Sequence, residues 1–135
     1  MLTNARLAAV IPVSDIEAST RFYEEKLGLK LIERRDDMPE NPEAHFEVGG
    51  TGLLLYKSVG AGQSRHTLAG FEVDDIEETV AALRDNGVTF EEYDMPGLKT
   101  QDGIATMGET KGAWFKDPDG NILAVEARVP AAKTV

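Results

Sequence analysis

The sequence predicts an α+β fold in which two copies of a βαβββ module pair into a curved, half-barrel mixed sheet with the helices outside. Two observations carry this prediction. The segment Val13-Ser-Asp-Ile-Glu17 returns 60 residues later as Val73-Asp-Asp-Ile-Glu77, in a chain of 135 residues. Each copy also stands between a strand-like stretch and a helix-like one. We therefore expect one domain over 1–135, with a first module over 1–60 and a second over 61–130.

The first module begins with a predicted strand, Leu7–Val13, which leads into a helix. Ser14 and Glu17 fit a capping box, in which the cap side chain and the acid three residues later satisfy exposed backbone donors. The helix ends at Gly28, a residue type that is common just past a helix end. Strand-like composition then predicts three more strands, Leu29–Glu33, Ala44–Val48 and Leu53–Lys57.

The second module repeats this order. A strand over Thr67–Val73 leads into a helix with Asp74 and Glu77 as its capping box, and this helix ends at Asn86–Gly87. The 18-residue stretch Met95–Gly112 is rich in glycine and predicts a long loop, a feature that is usually functional in a compact domain. The remaining strands are predicted at Thr89–Tyr93, Ala113–Lys116 and Ile122–Ala127.

Composition and charge limit the classes of function. The chain holds 14 Lys and Arg against 24 Asp and Glu, a formal net charge of −10, which disfavours nucleic acid and anionic membrane as partners. The same charge favours a cationic ligand if the acids line a cleft. Cysteine is absent, which excludes disulfides and thiolate metal sites. No apolar run reaches the ~20 residues of a membrane span, and the N-terminal stretch does not fit a signal peptide, so we expect a cytoplasmic protein.

Three motifs carry a family resemblance that covers nearly the whole chain. They are Ile11-Pro-Val-Ser-Asp15 with Phe22-Tyr-Glu-Glu-Lys-Leu-Gly28, then Phe71-Glu-Val-Asp-Asp75, and last Phe115-Lys-Asp-Pro-Asp-Gly-Asn121. In this order and at these separations, the sequence resembles the vicinal oxygen chelate (VOC) superfamily. That superfamily includes glyoxalase I, extradiol dioxygenases and bleomycin-binding resistance proteins. The resemblance implies the paired βαβββ fold, a small-molecule ligand and assembly as a homodimer.

The resemblance also implies where metal ligands would lie in metal-dependent members. Those positions fall on Ala8, Leu68 and Ala124, with a further one within Leu53–Leu55. A divalent metal at such a site needs imidazole nitrogen or carboxylate oxygen, and alanine and leucine offer neither. We therefore expect no metal cofactor, and a divalent metal would need displaced ligands.

The same three positions predict an apolar ligand site instead. Ala8, Leu68 and Ala124 are expected to meet on the concave face of the sheet. Strand parity places Trp114 and Tyr56 toward this face as walls, with core or dimer packing as the alternative for Trp114. Met107, in the predicted loop, would add a polarizable surface suited to a flat or cationic ligand.

Two histidines and a glutamate remain as candidates for chemistry. His66 lies two residues before Leu68, and Glu126 lies two residues after Ala124, so each shares a strand face with the apolar position beside it. His45 lies on a separate predicted strand, and periodicity does not decide which face of that strand it occupies. These groups could be displaced ligands of a metal-dependent lyase or dioxygenase, or acid–base groups of a metal-independent enzyme. The alternative without chemistry is that His66 is a residue at the rim of the concave face and Glu126 is a solvated charge at the end of its strand. Metal-free ligand binding ranks first, and whether the chain is an enzyme stays open.

Overall fold

The computed structural model describes residues 1–128, so residues 129 and 130 of the second predicted module lie outside the described residues. Two modules follow one another along the chain. The first consists of β1 (Ala8–Val13), α1 (Ile16–Arg21) continued by a π-helical turn (Phe22–Lys26), β2 (Lys30–Arg35), β3 (Glu43–Val48) and β4 (Thr51–Lys57). The second consists of β5 (Thr67–Glu72), α2 (Ile76–Asp85), β6 (Asp94–Met95), β7 (Leu98–Gln101), β8 (Ile104–Met107), β9 (Thr110–Lys116) and β10 (Ile122–Arg128).

Each module builds a mixed sheet around one parallel pair of strands. β1 runs parallel to β4 and β5 runs parallel to β10, whereas the other pairings are antiparallel. The strand orders are β1-β4-β3-β2 and β5-β10-β9-β8-β7-β6, and β1 lies next to β5. This architecture confirms the α+β prediction of two paired modules. Among residues 1–128, the helices are too short and too polar to cross a membrane.

The two helices begin at equivalent positions, but their caps differ from the predicted ones by one residue. The carboxylate of Asp15 accepts from Ala18 N at 3.1 Å, and that of Asp75 accepts from Glu78 N at 3.0 Å. The capping boxes predicted at Ser14 and Asp74 are therefore wrong. The reason is that the aspartates, with extended backbone, reach the third backbone N–H of the helix themselves.

One face of each sheet packs against its helix. Ile11 and Leu55 of the first sheet are fully buried, and so is Leu123 of the second sheet. Both modules therefore contribute to one hydrophobic core. Burying a side chain of this size contributes about 1.5–3 kcal/mol. The opposite face points away from α1 and α2, and we call it the open face. Its residues are Ala8, Val10, Pro12, Glu43, His45, Glu47, Gly52, Leu54 and Tyr56 on the first sheet, and Gly70, Met107, Gly112, Trp114, Ala124 and Glu126 on the second.

The predicted loop over Met95–Gly112 is wrong, because this stretch forms strands β6 to β8 and the start of β9. Its glycines supply the turns between these strands rather than a flexible connection. Gly97, Gly103 and Gly108 have φ values of 82°, 81° and 62°, a conformation that hairpin turns require and that glycine adopts without strain. The stretch therefore extends the second sheet.

The strand predicted over Thr89–Tyr93 is also wrong. Only Phe90 forms a bridge there, to Phe115, and Glu91 N donates to Trp114 O at 2.8 Å. The reason is that β8 already pairs with most of β9 along this edge, over Thr110–Ala113. The segment therefore finds a partner only beside the end of β9.

A buried hydrogen-bond network centred on Asp117 ties the two modules together. Its carboxylate accepts from Tyr23 Oη at 2.8 Å, and from Asn121 N, Asn121 Nδ2 and Asp119 N at 2.9 Å each. Asn121 Nδ2 also donates to Pro12 O at 2.8 Å, and Asn121 Oδ1 accepts from Gly62 N at 3.1 Å. Tyr23, Pro12 and Gly62 all precede β5, so the turn after β9 is anchored on the first half of the chain.

Candidate functional site

The open face of the first sheet presents three rows of side chains across β1, β4 and β3. The rows follow directly from the strand registers. The first row is Ala8, Gly52 and Glu47, the second is Val10, Leu54 and His45, and the third is Pro12, Tyr56 and Glu43. Each row runs from an apolar end on β1 to a polar end on β3.

The apolar ends of these rows form an exposed surface. Val10 is 52% exposed, although it stands in mid-strand. A Cβ on Gly52 would lie 3.3 Å from Ala8 Cβ, which shows that Ala8 and Gly52 are neighbours on this face. Ala8 and Tyr56 therefore lie on one surface, two rows apart. An exposed apolar strip on a sheet is typical of a site that a ligand or another protein surface covers.

Trp114 and Met107 come together on the open face of the second sheet. A Cβ on Gly112 would lie 3.2 Å from Trp114 Cη2 and 3.3 Å from Met107 Cε, so the indole and the thioether lie over this glycine. Trp114 is paired with Ala124 on β10, and Phe115, the next residue, is buried in the core. The alternation of side chains along the strand predicts that Trp114 lies on this face. No sequence pattern predicts that Met107 lies beside it, and only the chemical type of its side chain made it a candidate.

Tyr93 is a further residue of this patch that sequence reasoning missed. Its ring packs edge-on against Trp114 with the ring centroids 5.7 Å apart. Tyr93 N donates to Thr100 Oγ1 at 2.8 Å, which holds the segment before β6 beside the second sheet. No local sequence signal marks this role, because Tyr93 follows two glutamates outside any regular strand and reaches Trp114 only through the tertiary fold.

The three apolar positions do not have equal surroundings. Ala8 lies on the open face of β1, and Ala124 lies on that of β10 opposite Gly70. Leu68 lies where the pairing of β5 with β10 is irregular, and it packs against the hydrophobic core. The strands that carry the three residues are consecutive neighbours, β1, β5 and β10. Their convergence on one ligand stays a prediction.

The comparison with known proteins decides the family. A family profile described as the Glyoxalase/Bleomycin resistance protein/Dioxygenase superfamily matches residues 6–125. The chain belongs to this superfamily.

Relatives and solved structures show the same likeness to the superfamily. The chain is 31% identical over 138 residues to a protein from Arabidopsis thaliana named probable lactoylglutathione lyase, chloroplastic, and covers 92% of itself but only 36% of that protein's length. A glyoxalase family protein from Enterococcus faecalis superposes with a TM-score of 0.70 at 23% identity, covering 93% of this chain and 99% of that one. An antibiotic binding protein from Streptomyces sp. CB03234 gives a TM-score of 0.67 at 22% identity, covering 95% and 98%. The two solved structures share the fold.

The residues present do not fit the divalent metal that some members of the superfamily carry. Ala8, Leu68, Ala124 and Leu54 hold no ligand atom in their side chains. Within residues 1–128 of one chain, no three His, Asp or Glu side chains come together as metal ligands.

The displaced candidates lie on separate parts of the chain. His66 is exposed just before β5, where its backbone N donates to Ser64 Oγ at 3.3 Å, whereas Glu126 and His45 project from the two different sheets.

Two groups of the chain have shifted pKa values within the network of Asp117, away from the open face. Burial raises the pKa of Tyr23, and the negative charge of Asp117 raises it further. Burial also raises the pKa of Asp117, against the lowering effect of its hydrogen bonds from Asn121 and Tyr23. Tyr23 therefore stays a donor, and this part of the superfamily fold is structural.

A separate apolar cavity of about 200 Å³ lies on the helix side, where the two modules meet. Its lining includes Leu27 and Leu29 from the first module and Phe71, Leu83 and Phe115 from the second. It has no ionisable side chain in its lining. The open face combines apolar, aromatic and ionisable groups, so it is the better candidate for the ligand site of this superfamily member.

Proposed function

We propose that this protein binds a small organic ligand on its open face without a catalytic metal. The observation that carries this proposal is the patch of Trp114, Met107 and Tyr93, which lies beside Ala124. Ala124 is itself a position at which a metal-dependent relative would need a ligand atom. Aromatic rings and a thioether bind flat molecules and cations through polarizable, electron-rich surfaces. Glu126 on the same face and the net charge of −10 favour a cationic ligand.

The shared fold with an antibiotic binding protein supports the same class of function, since that protein's name describes binding rather than turnover. The absence of cysteine favours the cytoplasm as the location. A metal-dependent lyase is the second candidate, and the name of the Arabidopsis relative favours it. The apolar residues at the four implied ligand positions count against it.

Binding can be followed through Trp114, which is the only tryptophan. We expect a flat aromatic cation, proflavine, to quench its fluorescence saturably, and the anion 1-anthracenesulfonate to bind at least ~10-fold more weakly because of the acidic field. Met107→Ala should weaken proflavine binding by roughly 5-fold, since the end of this side chain and the indole both lie over Gly112. The matched control is Met38→Ala, because Met38 is 55% exposed in the connection between β2 and β3.

Equal loss in the two methionine variants, or no saturable quenching by proflavine, would contradict the proposed site. Metal analysis of the same untagged sample separates the second candidate from the first. Stoichiometric nickel, zinc, iron or manganese would establish the metal-dependent alternative instead.

We propose further that the protein is a homodimer. The sheets leave strand edges at β2 and β6, and the open face exposes Val10 and Met107, at 52% and 39%. Pairing of two chains about a twofold axis is the usual way to cover such surfaces. Light scattering at micromolar concentration should therefore give twice the chain mass of 14.7 kDa. A mass near that of one chain would refute the dimer.

A further inference from the structure

The apolar cavity on the helix side is large enough to hold one phenyl group. Its volume is about 200 Å³, and both modules contribute to its lining. An apolar cavity of ~150 Å³ in a protein interior is sufficient for a benzene ring. Leu27, Leu29 and Phe71 in the lining are only half-buried, so the cavity is open to solvent.

The wall of this cavity carries no charge and no free hydrogen-bond donor. Within the described part of the chain, Thr79 is the one polar side chain in the lining, and its hydroxyl donates to Asp75 O at 2.9 Å. The rings of Phe71 and Phe115 also contribute to the wall. Aromatic rings pack favourably against one another beyond the effect of their buried area. The group that fits this cavity is therefore apolar and aromatic.

A second cavity, of about 520 Å³, continues from the first along α2. Three residues are walls of both cavities: Leu27, Thr79 and Leu83. The second cavity adds three carboxylates around the start of α2, those of Asp74, Asp75 and Glu78. We call these three residues the acidic mouth. A molecule in the apolar cavity can therefore reach the acidic mouth without leaving the protein surface.

Two carboxylates of the acidic mouth have no role in holding the fold. Asp75 caps α2, because its side chain accepts from Glu78 N at 3.0 Å. Asp74 and Glu78 are exposed, and within residues 1–128 their side chains form no ion pair. By contrast, Glu77 between them pairs with Lys111 Nζ at 2.7 Å. The charges of Asp74 and Glu78 are therefore available to a ligand.

The positive end of α2 does not cancel this negative charge. A helix start carries about half a positive charge, whereas the acidic mouth carries three carboxylates. Lys26 lies past the other end of α2, where its Nζ would be 3.2 Å from a Cβ on Gly87. A helix of ten residues is about 15 Å long, so this cation is remote from the acidic mouth. The surroundings of the mouth therefore attract a cation.

We propose that the apolar cavity and the acidic mouth together bind primary arylalkylamines. The aromatic ring enters the cavity between the two modules, and the ammonium group donates charge-assisted hydrogen bonds to Asp74 and Glu78. This site lies on the helix side of the sheets, opposite the open face, so it is separate from the proposed function. Because the walls come from both modules, the bound ring contacts both of them.

The experiment titrates ¹⁵N-labelled protein with 2-phenylethylamine and follows its amide signals by NMR. The signals of Val73 and Leu83, which line the cavity, should shift saturably, and the indole N–H signal of Trp114 on the open face should stay in place. The neutral analogue 2-phenylethanol should bind roughly 5-fold more weakly. The anion 3-phenylpropionate should bind at least ~10-fold more weakly than the amine.

A pair of charge variants tests the acidic mouth. The double variant Asp74→Asn, Glu78→Gln keeps the cap at Asp75 and should weaken the binding of 2-phenylethylamine by roughly 10-fold, because two charge-assisted hydrogen bonds are lost. Its affinity for 2-phenylethanol should be unchanged. The matched control is Glu77→Gln, which removes a charge from the same helix where it already pairs with Lys111. Equal weakening of both ligands, or an equal effect in the control, would overturn the role of the acidic mouth.

Substitutions that fill the cavity test the position of the ring. Thr79→Phe introduces a ring from α2 and should weaken the binding of both 2-phenylethylamine and 2-phenylethanol by at least ~10-fold, since the apolar space is then occupied. Leu27→Phe fills the same space from the first module and serves if Thr79→Phe does not fold. Unchanged affinity in a folded variant would overturn the assignment to this cavity.

This inference and the proposed function fail in different ways. A saturable shift of the Trp114 indole signal, without shifts at Val73 and Leu83, would place the amine on the open face and overturn the inference. The absence of any saturable shift would overturn it as well, and proflavine binding at Trp114 would stand in both cases. Binding of 2-phenylethanol as tight as that of the amine would overturn the assignment of a cationic ligand. Loss of proflavine quenching alone would refute only the proposed function.

Discussion

Replacing Asp117 with alanine should lower the free energy of unfolding by about 4 kcal/mol. The substitution removes the acceptor for the Tyr23 hydroxyl and for the backbone N–H groups of Asp119 and Asn121, and Asp117 itself is only 5% exposed. Each buried donor left without a partner costs roughly 1–3 kcal/mol. The burial that raises the pKa of Asp117 shows that its carboxylate is itself costly to bury, which offsets part of this loss.

Urea unfolding at neutral pH measures this effect. Tyr23→Phe removes one donor and leaves the others bonded, so it should cost about 1–2 kcal/mol. Asp37→Ala is the matched control, because Asp37 is exposed between β2 and β3, and such a change stays within about 0.5 kcal/mol. A loss in Asp117→Ala no larger than in the control would mean that the network does not join the modules.

The repeat allowed the fold to be predicted from the sequence to a large extent. Val13 and Val73 stand at the same junction of strand and helix in the two modules, and the helices begin three residues later at Ile16 and Ile76. A local pattern suffices to place the helix starts, because neighbouring residues decide where a strand ends and a helical period begins. It missed the caps by one residue, since they are Asp15 and Asp75 rather than Ser14 and Asp74. The alternation of Trp114 and Phe115 likewise placed these rings on opposite faces of β9.

The bulges could not be predicted, because register depends on the partner strand. Nothing in Leu31-Ile-Glu33 marks Ile32 as an extra residue, yet it decides that Glu33 lies beside His45. For the same reason the face of His45 became clear only through its pairing with Leu54. The link between Tyr23 and Asp117 spans 94 residues of sequence, and no local signal reports it.

The hairpins within Met95–Gly112 show a different limit. Glycine is common both in tight turns and in long loops, so its presence in a sequence does not distinguish them. The positive φ of Gly103, which identifies a tight turn, is known only from the structure. The short strands β6 to β8 carry few β-branched residues, so the sequence composition favoured a loop. Their pairing with β9 overrides this weak local preference.

The second large effect is expected from restoring metal ligands at the three apolar positions. The variant Ala8→His, Leu68→His, Ala124→Glu should bind zinc or nickel with a dissociation constant near the micromolar range, about 8 kcal/mol of binding free energy where the parent has none. The structure favours this outcome because β1, β5 and β10 are neighbouring strands, and Ala8 and Ala124 already lie on the open face. Calorimetry of untagged protein measures the affinity.

Leu68 is the most demanding of these positions. It packs against the core where β5 pairs irregularly with β10, so a histidine there costs on the order of 1–3 kcal/mol if its ring finds no partner. The double variant Ala8→His, Ala124→Glu keeps the leucine and is the matched control, expected to bind at least ~10-fold more weakly because it offers one ligand fewer. A triple variant that folds, forms the same oligomer as the parent and binds neither ion would show that the three positions do not converge. The ligand site would then have to be moved from Ala8, Leu68 and Ala124 to the patch around Trp114 alone.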